Sequence, residues 1–212
     1  MDALKAYAEE IRACRLCVEA PAGPPLPHEP RPVLRVSTTA RLLVAGQAPG
    51  VRVHASGLPF DDPSGDRLRL WMGIDRAQFY DQAKIAIAPM GFCFPGQDAK
   101  GGDLPPRREC RARWHDGLFA LMPQIETILA VGRPAQDYHC ARLGRTLPKK
   151  LRLDEIVRLI ATPNASNQAG PRIIALPHPS WRNSGWLKRH FWFEDEIVPM
   201  LRAVVAETLR EM

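Results

Sequence analysis

Three groups of residues in this chain have the types and spacing that chemistry requires. The first is a set of thiols: Cys14 and Cys17 form a C-x2-C pair, and Cys93 and Cys110 follow with 16 residues between them. Four thiolates hold either a zinc ion or a cubane iron–sulfur cluster, and spacing alone does not choose between them. Cys140 lies outside the pattern in an amphipathic stretch and reads as a small buried hydrophobe. The second group is a turn, Gly46-Gln47-Ala48-Pro49-Gly50, whose glycines let backbone amides approach a ligand. It is followed by Ser56-Gly57-Leu58-Pro59-Phe60-Asp61-Asp62-Pro63-Ser64-Gly65, which offers an aromatic ring and two adjacent carboxylates. Phe60 taken alone suits a core, and aspartates before a helix suit capping, but the stretch is more polar than a plain connection needs. The third group is Pro177-His178-Pro179-Ser180, with an imidazole that can exchange a proton near neutral pH.

These side chains need a frame. Residues 41–45, 83–88, 127–131 and 172–176 are short, nearly unbroken apolar runs, as expected of strands buried on both faces of a parallel sheet. Helical patterns occupy 3–13, 65–73, 75–80, 106–121, 133–143, 149–160 and 186–210. Strands alternating with helices predict an α/β three-layer sandwich around a central four-stranded parallel sheet. In such a sheet ligands bind beyond the carboxyl ends of the strands, and that is where Gly46, the Pro89–Cys93 segment, Gly132 and His178 fall. The proline-rich stretch 19–32 cannot hold a helix or a central strand and is expected to run as an extended arm over the core.

The 212 residues suit one domain, and 45% apolar with 25% charged residues is ordinary globular composition. Arginine gives a net charge of +6, which draws a protein toward polyanions by counterion release. No run of 18 apolar residues is present, so a soluble, cytoplasmic, monomeric protein without a membrane span is expected. In that compartment thiols stay reduced, which favours metal binding, catalysis or burial over disulfides. No Gly-x-Ser-x-Gly elbow accompanies the histidines, which argues against an α/β hydrolase acting on small molecules.

The order of these motifs, Gly-Gln-Ala-Pro-Gly, then Gly-x-Pro-Phe with a small-residue turn, then His-Pro-Ser, resembles the uracil-DNA glycosylase superfamily, in particular its bacterial and archaeal iron–sulfur families. The resemblance runs from Cys14 through the His178 loop. It implies that Cys14, Cys17, Cys93 and Cys110 carry a 4Fe-4S cluster rather than zinc, with a structural role that ties 1–38 to the core. It implies a DNA partner, single- or double-stranded, containing a damaged base, and base excision repair as the process. Gln47, Ala48, Pro49, Gly50 and Phe60 would then surround the extruded base, with Phe60 stacked on it. His178 would donate to the leaving base, and Ser180 would bind a phosphate. Trp181 and Arg182 would fill the gap left in the duplex. Arg107, Arg108, Arg111 and Arg113 suit either phosphate contact or a solvated helix face.

Three positions depart from the family pattern. Where relatives carry an acid or amide at the third position of the first motif this chain has Ala48, and where the iron–sulfur families have Glu it has Gln47. A second bacterial branch instead uses an Asp before an x-Ser-Gly turn, which corresponds to Asp62, with Asp61 as the close alternative. The Asn that reads uracil in many relatives corresponds to Pro89, so a backbone group around Met90, or Asn183, would have to replace it. These departures keep three activities open: excision of uracil, excision of hypoxanthine or xanthine, and binding of uracil or abasic DNA without cutting.

Overall fold

A computed structural model describes residues 2–161 and 170–210. In chain order its elements are α1 (Ala3–Arg12), α2 (Leu16–Glu19), β1 (Leu42–Ala45), α3 (Val51–Ser56), α4 (Pro63–Met72), α5 (Arg76–Phe79), β2 (Ile85–Ile87), α6 (Arg108–Ala120), β3 (Thr127–Val131), α7 (Arg133–Arg142), α8 (Leu153–Ala161) and β4 (Arg172–Leu176). A 3-10 turn (Trp181–Asn183), α9 (Ser184–Arg189), a π turn (Phe193–Ile197) and α10 (Val198–Arg210) complete it. The four strands pair in parallel in the order β2-β1-β3-β4. Among the described residues no helix is long and apolar enough to cross a membrane.

Both sheet faces are buried, and they are built differently. Ala45, Ala86, Ala130 and Ala175 lie on one face, and their small side chains leave room for the large rings of Phe92, Trp114 and Phe119 with α1, α6 and α7. Val44, Ile87, Val131 and Leu176 point to the other, where Leu68 and Trp71 of α4, Phe193, and Leu201 and Val205 of α10 cover them. Strands enclosed in this way need apolar residues at every position, which explains the unbroken runs in the sequence.

From β1 the chain crosses to β2 on one side, then returns past β1 to β3 and β4 on the other. The strand order therefore reverses at β1 and β3, and a ligand crevice is expected beyond their carboxyl ends. The proline-rich stretch 19–32 starts where α2 ends and holds no helix or strand, as expected, and the chain after it follows the edge of the sheet. Arg35 exchanges two backbone hydrogen bonds with Ile87, the Val33 amide donates to the Phe92 carbonyl, and Leu26, Val33 and Val36 are buried. This covers the open edge of β2.

The single helix expected over 186–210 is instead α9, a break at His190, a π turn and α10. Pro199 has no amide to donate and its ring crowds the carbonyl one turn earlier, so the chain widens into the π turn just before it. The short helix α3 was also not expected. Gly50 precedes it and Gly57, at φ +73°, ends it in the left-handed conformation favoured at helix ends.

Candidate active site

The Gly46–Gly50 turn continues directly from β1 and is tied to the loop after β2. The Met90 amide donates to the Gly46 carbonyl and the Gly91 amide to the Gln47 carbonyl, both at 2.9 Å. His115, fully buried in α6, has its Nε2 2.9 Å from the Pro89 carbonyl oxygen. The backbone groups expected to read a base edge in place of the missing Asn are thus engaged within the protein. The Met90 side chain belongs to the core, because the alanine-lined sheet face leaves a volume that it fills. Gln47 reaches across the crevice: a Cβ on Gly132, at φ +84°, would lie 2.4 Å from the Gln47 Nε2. Only glycine fits there.

Phe60 has φ +57°, the sole positive value among the described non-glycine residues. A bulky residue in this region is strained by about 1–3 kcal/mol and persists only where its surroundings hold it. They do so on every side. Tyr80 donates to the Pro59 carbonyl at 2.8 Å, and the buried Arg69 donates to the Phe60 carbonyl at 3.3 Å. A Cβ on Gly65 would lie 1.8 Å from the Phe60 carbonyl oxygen, so that position must be glycine. The ring is set against Gly46, 3.1 Å from where a Cβ would be, and edge-on to Phe79. It forms a wall of the crevice.

The two adjacent aspartates are separated by the fold. Asp61 accepts from Arg76 at 2.8 Å, and this hydrogen bond holds its carboxyl below the usual carboxylate range. Asp62 caps α4, its Oδ1 accepting from the Gly65 amide at 2.8 Å, with Pro63 in the first helical turn. Asp62 also acts electrostatically on His178 across the crevice, and so does Asp103, which sequence reasoning had not singled out.

His178 follows β4. Its Nδ1 accepts from the Ser180 amide at 3.3 Å, which assigns the ring proton to Nε2, and Nε2 has no hydrogen-bond partner among the described residues. Burial lowers the His178 pKa from its ordinary value, against the pull of the Asp62 and Asp103 carboxylates. A neutral imidazole with a free Nε2–H is thereby presented to the crevice. Asn183 donates its amide to the His178 carbonyl at 2.7 Å, so its donor fastens this loop. The Ser180 carbonyl accepts from Arg67 at 3.2 Å, while its hydroxyl makes no protein hydrogen bond. Trp181 projects into solvent at 75% exposure, with the Arg182 guanidinium 5.6 Å from its ring centroid. Arg182 in turn donates to the Gly101 carbonyl at 3.3 Å.

Of the arginines around Cys110, Arg107 pairs with Glu109 and donates to the Pro24 carbonyl, holding the arm, while Arg113 lies over Trp114 and Arg111 over Tyr138. Cys14, Cys17, Cys93 and Cys110 line one small apolar hollow, partly open to solvent, with Ile11, Phe92 and Trp114 among its walls. Two N–H groups already point at sulfur: Trp114 Nε1 at Cys14, 3.2 Å, and the Phe92 amide at Cys110, 3.4 Å. Burial pushes the Cys93 thiol up to about 12 and raises Cys17 and Cys110, so bare thiolates are disfavoured without a cation beside them. Among the described residues no three His, Cys, Asp or Glu side chains are arranged to hold a metal ion. Cys140 is buried apart from the hollow, as expected.

A doubly wound α/β sheet with polar loops gathered where its strand order reverses is the class that fold and site define. The profile of the Uracil DNA glycosylase superfamily matches residues 35–202, from the arm beside β2 into α10, and the chain belongs to that superfamily. Cys14 and Cys17 lie before the matched stretch. A solution NMR structure of a candidate uracil DNA glycosylase from Methanosarcina acetivorans is similar over 80% of this chain and 94% of its own, at 15% identity and a TM-score of 0.46.

Proposed function

We propose that this protein is a DNA glycosylase that hydrolyses the bond between a deaminated base, uracil first among them, and its sugar, leaving an abasic site. The observation that carries this reading is His178, a neutral imidazole with its proton on a free Nε2, opposite the carboxylate of Asp62. Such hydrolysis develops positive charge on the sugar and negative charge on the departing base. Asp62, fixed by its helix cap, offsets the first charge and orients water, and His178 donates to the base oxygen that takes up the second. Phe60, already rigid, stacks on the extruded base, a contact worth about 1–3 kcal/mol against the few kcal/mol of unstacking. Trp181 and Arg182 enter the duplex where the base has left, and the Ser180 hydroxyl takes a phosphate.

Cys14, Cys17, Cys93 and Cys110 are proposed to hold a 4Fe-4S cluster, for which an apolar hollow with N–H donors at sulfur is a fitting environment. The cluster supplies a structural tie between α1, α2, the loop after β2 and α6. The test of function is single-turnover cleavage of oligonucleotides carrying one uracil, hypoxanthine or xanthine. Excision of uracil, with His178→Ala slower by about 10²–10³, is expected. Excision of only another base would move the substrate, and tight binding of abasic DNA without excision of any would replace the enzyme with a binding protein.

A further inference from the structure

The loop between Cys93 and α6 folds into a small hairpin. Gln97 and Asp103 face each other in an antiparallel bridge, the Leu104 amide donates to the Gly96 carbonyl, and the Asp98 amide donates to the Gly102 carbonyl at 2.7 Å. The Asp98 carboxylate accepts the amides of Lys100 and Gly102, which closes the tip. The hairpin leans on the His178 loop through the bond from Arg182 to the Gly101 carbonyl. These contacts bring Asp103 over the Gly46–Gly50 turn. A Cβ on Gly50 would lie 3.2 Å from Asp103 Oδ2 and near no other atom outside the turn. Gln97 Nε2 donates to Asp103 Oδ1 at 3.2 Å, whereas Oδ2 makes no hydrogen bond among the described residues.

We propose that Asp103 is a catalytic carboxylate of this site, which holds the attacking water on its Oδ2 beside Gly50 and accepts that water's proton. The inference rests on the glycosylase reading and divides the work between two acids. Asp62 has one oxygen committed to the α4 cap; it serves as the fixed negative charge and helps to orient the water, whose proton goes to Asp103. Asp103 has its free oxygen beside Gly50, where no side chain stands between it and the turn. As the bond from the sugar carbon to the base nitrogen breaks, its electron pair leaves with the base, whose oxygen accepts from His178 Nε2–H. The water oxygen bonds to the sugar carbon, and its proton passes to Asp103, from which it returns to the departing base or to solvent. Asp103 is exposed in the protein alone. An extruded nucleotide would cover it and exclude bulk water.

Asp103→Asn preserves the acceptor for Gln97 and removes the charge. Single-turnover excision of the base that the wild type excises should fall by about 10²–10⁴, with affinity for duplex containing a neutral tetrahydrofuran abasic site unchanged. A duplex containing a cationic pyrrolidine in the same place mimics the charged sugar. The wild type should prefer it over tetrahydrofuran, and Asp103→Asn should lose about tenfold of that preference. Gly50→Ala, compatible with the backbone at φ −87°, sets a methyl against Oδ2; it should slow the wild type and add little to Asp103→Asn. Full activity with undiminished cation preference in Asp103→Asn overturns the proposal. If the wild type excises nothing, the glycosylase reading fails on that result alone. The pyrrolidine preference then decides separately whether Asp103 faces the sugar: its loss in the variant supports that placement, and its persistence overturns it.

Discussion

In the cysteine hollow the side chains meet across apolar walls, and two N–H donors aimed at sulfur are the polar contacts made there. At the carboxyl end of the sheet, by contrast, several backbone and side-chain groups of the loops have partners within the protein. The Met90 and Gly91 amides, the Pro89 carbonyl, the Phe60 carbonyl and the Asp62 carboxylate are all engaged. On the proposed reading the first region receives a cluster, and its geometry would then depend on that group. The second is set by the chain itself, so substitutions there should change chemistry more than folding.

The largest effect expected on this comparison is that of Asp62→Asn. Asn caps a helix about as well as Asp, so the melting temperature should stay within a degree or two, while single-turnover excision falls by about 10²–10⁴. Asp61→Asn, which removes the charge from the half-buried carboxylate that pairs with Arg76, should leave excision nearly intact. A large drop in melting temperature for Asp62→Asn would show that this region is not independent of its charges. Next in size is removal of the cluster. Cys93→Ser should abolish bound iron and acid-labile sulfide in anaerobically prepared protein and lower stability by several kcal/mol, on the order expected for structural metal sites. Cys140→Ser should leave iron content unchanged. Stoichiometric zinc without iron would reject the cubane.

A smaller effect is expected from acid. Burial lowers His115 to about 4 and His139 to about 3 from an ordinary 6.5, and both His139 nitrogens lack partners. Below 6.5 the unfolded chain binds protons that the folded chain refuses, so stability should decline as pH falls from there toward 4 and 3. The loss should be on the order of a few kcal/mol, measured by urea unfolding across that range. His139→Leu should reduce the slope and raise stability near neutral pH. The smallest effect concerns Trp181→Ala, which should weaken duplex binding by about tenfold, an ordinary loss for an aromatic anchor, and single-strand binding less. Equal losses on both would remove the wedge role.

The four strands were legible because a sheet covered on both faces demands unbroken apolar runs, and Leu42–Ala45, Thr127–Val131 and Arg172–Leu176 meet that demand. The break before α10 was not, because the apolar pattern continues across it and only Pro199 marks it. Asp61 and Asp62 were indistinguishable by type, although the Pro63 that follows is a mark of a helix start and favours Asp62 as the cap. Asp103 was hidden for a different reason. It lies in a polar stretch between two cysteines, and its significance comes from Gly50 and His178, which no local pattern connects to it. The arm's contacts with β2 were equally invisible, since they use backbone groups that every residue has.

The strained backbone at Phe60 bears on how this protein would respond to selection. A directed-evolution screen for heat resistance would find Phe60→Gly attractive, because glycine adopts φ +57° without penalty. Such a variant would gain robustness and lose its stacking platform. Thermostability and turnover should therefore pull in opposite directions at this one position, and a library sorted on melting alone would discard the ring proposed to stack on the base.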